Sequence, residues 1–330
     1  MKINFLPFQP HCFAFGGFEV QMLATFDALA EEGVKVSKMD VWSRNQDFEI
    51  LQCWGLDIAN YENIKWAKKT GKKVVVTALL SYYETFVEKT RFFASSLMYK
   101  QKIIKEMLPF IDSIVVLNDL QAEVLVKNYG FPKSKIFIIP NVVSDFFFKK
   151  RNNTQNGDYI LTVGNICERK NQISLAKAAI KIGLPLVIIG KTISGEESYG
   201  EALEKISSKS ENKITWIKGL QENSAELISY YANCMIFALP SFTEQQPISI
   251  LEAAVLGKPI LTSNRAFGKQ DYYRNSMLIN PSDENSIFLG LQNMLTAPLK
   301  YVPDFEHLLS CKASSVATSY DNMYRQIYEK

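Results

Sequence analysis

Two glutamates eight positions apart lie where a predicted buried strand passes into a helix. Glu244 is in the loop after the apolar run that ends at Leu239, and Glu252 is inside the helix that begins near Pro247. The neighbours of Glu252 are apolar, so its carboxylate needs hydroxyl or cationic partners. Two carboxylates placed in this way can hold two parts of one long ligand. Glu244 alone is also consistent with an acid that complements the helix dipole.

Two glycine-containing loops could bind a phosphate. Gly16 and Gly17 follow the first predicted strand and open an amphipathic helix, where backbone N–H groups and the helix dipole favour anions. The pair is also typical of a tight turn, and its spacing differs from the Gly-x-Gly-x-x-Gly of dinucleotide sites. The second loop, residues 164–171, carries Arg169 and Lys170, which suit neutralisation of a diphosphate. A solvated basic turn is the alternative for this loop.

Short apolar runs alternate with amphipathic stretches on both sides of a polar segment at 149–157. Strands separated by helices predict parallel sheets, so we expect an α/β protein of two doubly wound, Rossmann-like domains. Ligands of such sheets bind beyond the carboxyl ends of the strands, which makes a cleft between the domains the expected site. The predicted parts are a first domain at 1–148, a linker at 149–157, a second domain at 158–311 and a C-terminal helix at 312–330.

The composition excludes several classes of protein. A chain of 330 residues with 47% hydrophobic and 22% charged residues is not disordered, collagen-like or a coiled coil. Its 37 basic and 34 acidic residues give a net charge of +3, too even for a dedicated nucleic-acid binder. Two histidines exclude a histidine-rich metal site, and five widely spaced cysteines favour a reducing cytoplasm. No apolar run reaches the roughly 18–20 residues of a membrane helix.

The pattern Glu-x7-Glu formed by Glu244 and Glu252 resembles the family 4 retaining glycosyltransferases of the GT-B superfamily. The loop at 164–170 and the segment Pro140-Asn141-Val142-Val143 are similar to the same family. The resemblance implies a GT-B-like fold, in which the two domains face each other across a cleft. The first domain would bind the acceptor and the second the nucleotide-sugar donor. The C-terminal helix would cross back to the first domain, with Tyr320 and Tyr324 contacting residues before 150.

The resemblance also implies roles for individual residues. Glu244 would be the catalytic residue against the transferred sugar, and Glu252 would accept hydrogen bonds from ribose hydroxyls. Arg169 and Lys170 would neutralise the diphosphate, so that no metal and no cofactor is expected beyond a UDP- or GDP-sugar as donor substrate. The other residues expected to bind the donor are Gly16, Gly17, Asn165, Leu220, Gln245, Gln246, Ile248 and Ser249.

The sequence departs from the family pattern in several places, one of which is Val142, where the family usually has glycine. Asn165 stands where the family has arginine, and Gln245-Gln246-Pro247 replaces Gly-Phe-Gly, which removes one N–H donor at the proline. No histidine follows the predicted strand at 74–77.

The expected reaction is transfer of a sugar to an acceptor hydroxyl with retention, in the synthesis of a surface polysaccharide or glycoconjugate. Two alternatives stay open: a non-catalytic relative that binds nucleotide sugars, and a nucleotide-sugar epimerase of the same architecture.

A basic amphipathic segment at 89–105 bears on partners and location. Its lysines, arginine and apolar residues could lie on an anionic membrane beside a lipid-linked acceptor. A helix that packs its apolar side on the core is the more common use of such a pattern, and we favour it. The expected partners are a nucleotide sugar and a glycan or lipid-linked acceptor, without nucleic acid. The expected location is cytoplasmic, with peripheral contact at the inner membrane face as a further option.

Overall fold

The computed structural model describes residues 1–13, 15–81, 99–151 and 157–329, apart from the side chain of Lys100. The chain forms two compact units. The first comprises Met1–Val142 with Ala313–Lys330, and the second comprises Val143–Lys312. The boundary lies before the predicted linker at 149–157, because Val143 already pairs with Lys312 in a parallel bridge of the second unit. Residues 149 and 150 end a helix, and residues 152–156 lie outside the described ranges.

The sheet of the first unit is parallel, with the strand order β2-β1-β3-β4-β5-β6. Its central strands are short, rich in β-branched residues and buried on both faces, as expected for a sheet covered by helices on both sides. Ile3 pairs with Val36 on one side and with Ile50 on the other. The strands are β1 (Lys2–Leu6), β2 (Lys35–Lys38), β3 (Ile50–Trp54), β4 (Lys73–Thr77), β5 (Ser113–Val116) and β6 (Ile136–Ile138).

The helices of the first unit follow the stop and start signals of the sequence. The Asn118 side chain accepts the Gln121 N–H at 3.0 Å at the start of one helix, which ends at Gly130 in the left-handed conformation with φ 66°. In chain order, the described helices of this unit are α1 (Gly17–Glu31), α2 (Tyr61–Lys69), α3 (Tyr99–Met107), α4 (Asp119–Tyr129) and, at the C-terminus, α12 (Ala313–Tyr328).

Helix α12 packs on the first sheet through a buried polar network. The Tyr324 hydroxyl donates to Gln52 Oε1 at 2.9 Å, and the Tyr320 hydroxyl lies 3.0 Å from Thr77 Oγ1. Gln52 Nε2 also donates to Thr77 Oγ1 at 3.0 Å, so two tyrosines of the helix and two strand residues form one connected set. The predicted return of the C-terminal helix to residues before 150 is therefore present.

The sheet of the second unit is also parallel, with the order β12-β11-β10-β7-β8-β9. Its strands are β7 (Ile160–Val163), β8 (Leu186–Ile189), β9 (Ile214–Ile217), β10 (Ile236–Leu239), β11 (Ile260–Ser263) and β12 (Met277–Ile279). Its described helices are α5 (Asp145–Lys150), α6 (Gln172–Ile182), α7 (Glu197–Ser208), α8 (Ala225–Asn233), α9 (Ile248–Val255), α10 (Glu284–Thr296) and α11 (Phe305–Leu308). Two doubly wound parallel sheets confirm the predicted fold class.

Strands β7 and β10 are neighbours at the centre of the second sheet, where Ile236 pairs with Ile160. Because both strands run in the same direction, the loops that follow them meet at one edge of the sheet. The backbone is tight there: a Cβ on Gly190, after β8, would lie 1.9 Å from the Gly164 carbonyl oxygen. The fold thus brings the loops at 164–171 and 240–247 side by side.

The basic segment at 89–105 is described only from residue 99 onward. Within that part, Ile104 is buried in the core of the first unit, whereas Lys102 and Lys105 are exposed. The described end of the segment therefore packs its apolar side on the core, and residues 89–98 lie outside the described ranges. Across the ranges that the structure covers, no helix is both long and apolar enough to span a membrane.

Candidate functional site

The centre of the candidate site is a buried carboxylate held by two cations. Glu244 Oε1 lies 2.8 Å from Arg169 Nη1 and 3.0 Å from Lys170 Nζ, and it accepts the Ser241 hydroxyl at 3.1 Å. The side chains of Glu244 and Lys170 are 9% and 11% exposed, whereas that of Arg169 is 44% exposed. The loops after β7 and β10 therefore form one charged cluster at the carboxyl edge of the second sheet.

The charge state of Glu244 follows from this cluster. Burial alone would raise the pKa of the carboxyl group, but the nearby Lys170 and Arg169 cations and their hydrogen bonds lower that pKa below its ordinary value. Glu244 is consequently ionised at neutral pH. A carboxylate in this state can stabilise positive charge or accept hydrogen bonds from hydroxyl groups.

Backbone contacts hold the two loops together. Arg169 Nη1 donates to the Thr243 carbonyl at 2.7 Å, and the Phe242 N–H donates to the Arg169 carbonyl at 2.8 Å. The buried Asn171 side chain donates to the carbonyls of Pro240 and Pro281, at 3.3 and 2.8 Å. These bonds fix the cations relative to Glu244 through the main chain, so the geometry of the cluster does not depend on the ion pairs alone.

Glu252 lies in α9, where the residue is partly exposed but its carboxyl group is enclosed by the protein. Burial raises its pKa to about 7; the Tyr231 hydroxyl opposes this rise, and the charge of Glu222 adds to it. Glu252 thus changes its charge near neutral pH, in contrast to Glu244.

The remaining predicted residues of the second loop lie around the start of α9. The buried Gln246 and the partly buried Gln245 precede the helix, and Gln270 Nε2 donates to the Gln245 carbonyl at 2.6 Å. Helix α9 begins at Ile248, followed by Ser249, both partly buried, and it has no side-chain cap at its N-terminus. The predicted helix start near Pro247 is therefore correct to within one residue.

Asn165 and Leu220 occupy the loops after β7 and β9. Asn165 is exposed, and its carbonyl accepts the Gln172 side-chain amide at 2.8 Å. Leu220 is partly exposed and follows Gly219, whose φ of 94° brings the chain against the Lys191 side chain. Both residues lie at the same edge of the sheet as Glu244, because all strands of this sheet are parallel.

Gly16 and Gly17 belong to the first unit, at the start of α1. The Gly16 N–H donates to Glu19 Oε2 at 2.9 Å, and Gln9 Nε2 donates to Glu19 Oε1 at 3.3 Å. Glu19 is buried, so the negative charge at this helix N-terminus comes from the protein itself. From the sequence, the Gly16 N–H was expected to bind a phosphate. In the structure, this N–H donates to the Glu19 carboxylate.

Sequence reasoning missed three residues of the site. Ser241 and Asn171 hold the cluster through hydrogen bonds, and Glu222 acts on the charge of Glu252. Ser241 and Asn171 are small polar residues at a strand end and at a helix start, which was the available signal. Among the residues that the structure describes, no group of three or more His, Cys, Asp or Glu side chains is arranged to hold a metal ion.

The second unit is similar to a known protein family. Residues 143–301 match the family model for glycosyl transferases group 1. A curated relative is the N,N'-diacetylbacillosaminyl-diphospho-undecaprenol alpha-1,3-N-acetylgalactosaminyltransferase of Campylobacter jejuni, 26% identical over 218 residues. The alignment covers 61% of this chain and 54% of the relative, so the chain spans about half the length of that protein. The resemblance inferred from the Glu-x7-Glu pattern is confirmed.

Solved structures share the architecture along the whole chain. Sucrose-phosphate synthase from Thermosynechococcus elongatus has a TM-score of 0.73 at 14% identity and covers 100% of both chains. Anabaena Alr3699/HepE in complex with UDP has a TM-score of 0.69 at 13% identity, covering 100% of this chain and 99% of that one. A glycosyltransferase from Rickettsia africae reaches 0.69 at 14% identity, covering 98% and 97%. Identities this low establish the fold alone.

Proposed function

We propose that the protein moves a sugar from a nucleoside-diphosphate donor to an acceptor hydroxyl, because residues 143–301 match the family model for glycosyl transferases group 1 and the fold is shared with a solved glycosyltransferase. The single observation that carries this proposal is the cluster of Glu244, Arg169 and Lys170 at the carboxyl edge of the second sheet. This cluster offers cations for a leaving diphosphate and a carboxylate for the sugar in one place.

The two cations do the electrostatic work of the transfer. In the proposed step, the bond between the anomeric carbon and the phosphate oxygen breaks, and its electron pair stays with the nucleoside diphosphate. The acceptor oxygen forms the new bond to the same carbon on the same face, and its proton passes to the departing phosphate. Arg169 and Lys170 stabilise the negative charge that develops, and the Glu244 carboxylate stabilises the positive charge on the sugar.

Glu252 is proposed to bind the ribose of the donor. It is the fifth residue of α9, and an ionised carboxylate there can accept both ribose hydroxyls. Its pKa of about 7 makes that interaction sensitive to pH. The rest of the donor pocket is proposed to be lined by residues of the loops at this edge of the sheet and of the start of α9: Asn165, Leu220, Gln245, Gln246, Ile248 and Ser249.

The acceptor is proposed to be a lipid-linked glycan, in the synthesis of a surface polysaccharide or glycoconjugate. The support is the curated relative, whose name specifies a diphospho-undecaprenol substrate. Such an acceptor would place the protein at the cytoplasmic face of a membrane.

One alternative has a specific observation in its favour. Asn165 and Pro247 replace residues that supply a charge and an N–H donor in the resembled family, which fits a protein that binds a nucleotide sugar without transferring it. Arg169 and Lys170 still place two cations in the loop, and Gln245 and Gln246 bring two side-chain amides. These groups could replace the missing charge and N–H donor, so both functions stay compatible with the site and turnover decides between them.

The test is a panel of UDP- and GDP-sugars measured by thermal shift, followed by assays of hydrolysis and transfer. We expect one base to raise the melting temperature, and we expect its sugar to be released or transferred with the anomeric configuration of the donor, as read by NMR. A shift without turnover for any lipid-linked acceptor would favour the binding protein. If no nucleotide sugar or nucleoside diphosphate changes the melting temperature, the donor assignment is wrong.

A further inference from the structure

We propose that Glu244 competes with the donor diphosphate for Arg169 and Lys170, so that binding of the donor releases the Glu244 carboxylate toward the sugar. The inference rests on the proposed function, and it adds a property that a carboxylate contacting only the sugar would not have. Glu244 would lower the affinity for nucleoside diphosphates and speed the release of the product.

The Glu244 carboxylate and a donor diphosphate need the same two cations. Arg169 and Lys170 are the charged groups next to each other in the loop after β7, and both contact the same oxygen of Glu244, at 2.8 and 3.0 Å. A diphosphate that is to be neutralised by these cations needs the same N–H donors. The Glu244 carboxylate and the diphosphate therefore compete for the N–H donors of Arg169 and Lys170.

Burial strengthens the ion pair with which a diphosphate must compete. The Glu244 and Lys170 side chains are mostly buried, so water screens their interaction less than it screens a surface ion pair. Elsewhere in the same unit, Lys177 and Glu284 form an ion pair of 2.6 Å in which both side chains are about half exposed. Pairs of the exposed type contribute little, so they serve as a natural control.

Arg169 and Lys170 also have contacts outside their ion pairs with Glu244. Arg169 is anchored by its bond to the Thr243 carbonyl, and its guanidinium is partly exposed with further N–H groups available. The Lys170 Nζ atom lies against Gly164, where a side chain would collide with it at 3.0 Å. The Arg169 guanidinium therefore has N–H groups left for a phosphate, and the glycine at 164 leaves room for the Lys170 ammonium group.

The experiment measures the binding of UDP, GDP and inorganic pyrophosphate to the full chain by calorimetry. We compare the wild type with Glu244→Gln and with the control Glu284→Gln. Glu244→Gln is expected to bind the preferred nucleoside diphosphate about tenfold more tightly, and pyrophosphate more tightly as well, because two cations lose their internal partner. Dissociation measured by stopped flow should slow in proportion. Glu284→Gln should bind like the wild type.

A second variant covers the case in which Glu244→Gln does not fold, since it leaves Lys170 with little exposure and one partner fewer. Glu244→Asp keeps the charge but retracts it by one methylene group, and it should show an intermediate gain in affinity. Equal or weaker binding by a folded variant, or an equal gain in the control, would overturn the competition while leaving the donor assignment intact. If the wild type and all variants bind none of the three anions, the proposed function itself fails.

Discussion

The loops that open α1 and α6 lie after the first strand of their respective sheets, and they handle negative charge in different ways. Each loop contacts a carboxylate of the protein, and the two carboxylates are almost equally buried, with Glu19 at 8% and Glu244 at 7% exposure. The Gly16 amide holds Glu19 with one hydrogen bond, whereas Arg169 and Lys170 hold Glu244 with two full positive charges. The difference therefore lies in the partners and not in the burial.

This comparison indicates which loop can neutralise a diphosphate. A backbone amide and a helix N-terminus supply about half a charge and a fixed direction. Two side-chain cations supply whole charges that can turn toward a ligand. The second loop is consequently expected to dominate the affinity for a nucleoside diphosphate.

The largest effect is expected from Lys170→Ala, which removes one of the two cations. We expect the affinity for the preferred nucleoside diphosphate to fall by roughly 10- to 100-fold, since a hydrogen bond to a charged group contributes about 1.5–3 kcal/mol. Calorimetry checks this against Lys177→Ala, which removes a lysine of the exposed pair with Glu284 and should leave the affinity unchanged. Equal losses in both variants would mean that general surface charge, and not this loop, sets the affinity.

An intermediate effect is expected from the pH dependence of Glu252. Burial raises the pKa of Glu252 in the folded protein to about 7, above its ordinary value of about 4.5. The protonated carboxyl group therefore stabilises the folded state, and this contribution is complete below about pH 4.5. This contribution is lost as the pH rises from about 4.5 through 7. Glu252→Gln should therefore be stabilised relative to the wild type at pH 8 by about 1–3 kcal/mol, with a smaller difference at pH 5.

Binding should show the opposite trend, because ribose hydroxyls donate to the ionised carboxylate. We expect the wild type to bind its nucleotide more tightly at pH 8 than at pH 6, and Glu252→Gln to bind weakly with no such dependence. Melting curves and titrations at both pH values measure the two effects. A wild type whose affinity does not change across this range would exclude Glu252 as the ribose ligand.

The smallest effect is expected from Glu19→Gln in the first loop. The amide can still accept the Gly16 N–H, so only the charge at the start of α1 is lost, which costs about 0.5–1 kcal/mol. The melting temperature should fall slightly, and the affinity for nucleoside diphosphates should stay within about twofold. A tenfold change in this affinity would show that charge in the first loop affects diphosphate binding as strongly as charge in the second loop.

The sequence allowed much of the fold to be predicted, because local patterns carry that information. Apolar β-branched runs separated by amphipathic stretches indicate parallel strands and helices, and the spacing of Glu244 and Glu252 places one before α9 and the other within it. The boundary between the units was harder to predict. It depends on the pairing of Val143 with Lys312, residues far apart in the chain, and no local turn signal reports that contact.

By itself, the sequence determined which residue types stand at the ends of which strands: glycines and cations after β7, and glutamates and glutamines after β10. It could not determine their partners. Arg169 and Glu244 are held together because β7 and β10 are adjacent in the sheet, although β8 and β9 separate them along the chain. The tertiary structure likewise decided that the Gly16 amide bonds to Glu19 and that burial raises the pKa of Glu252. Charge and hydrogen bonding act over a few ångströms in space, and only the folded chain sets those distances.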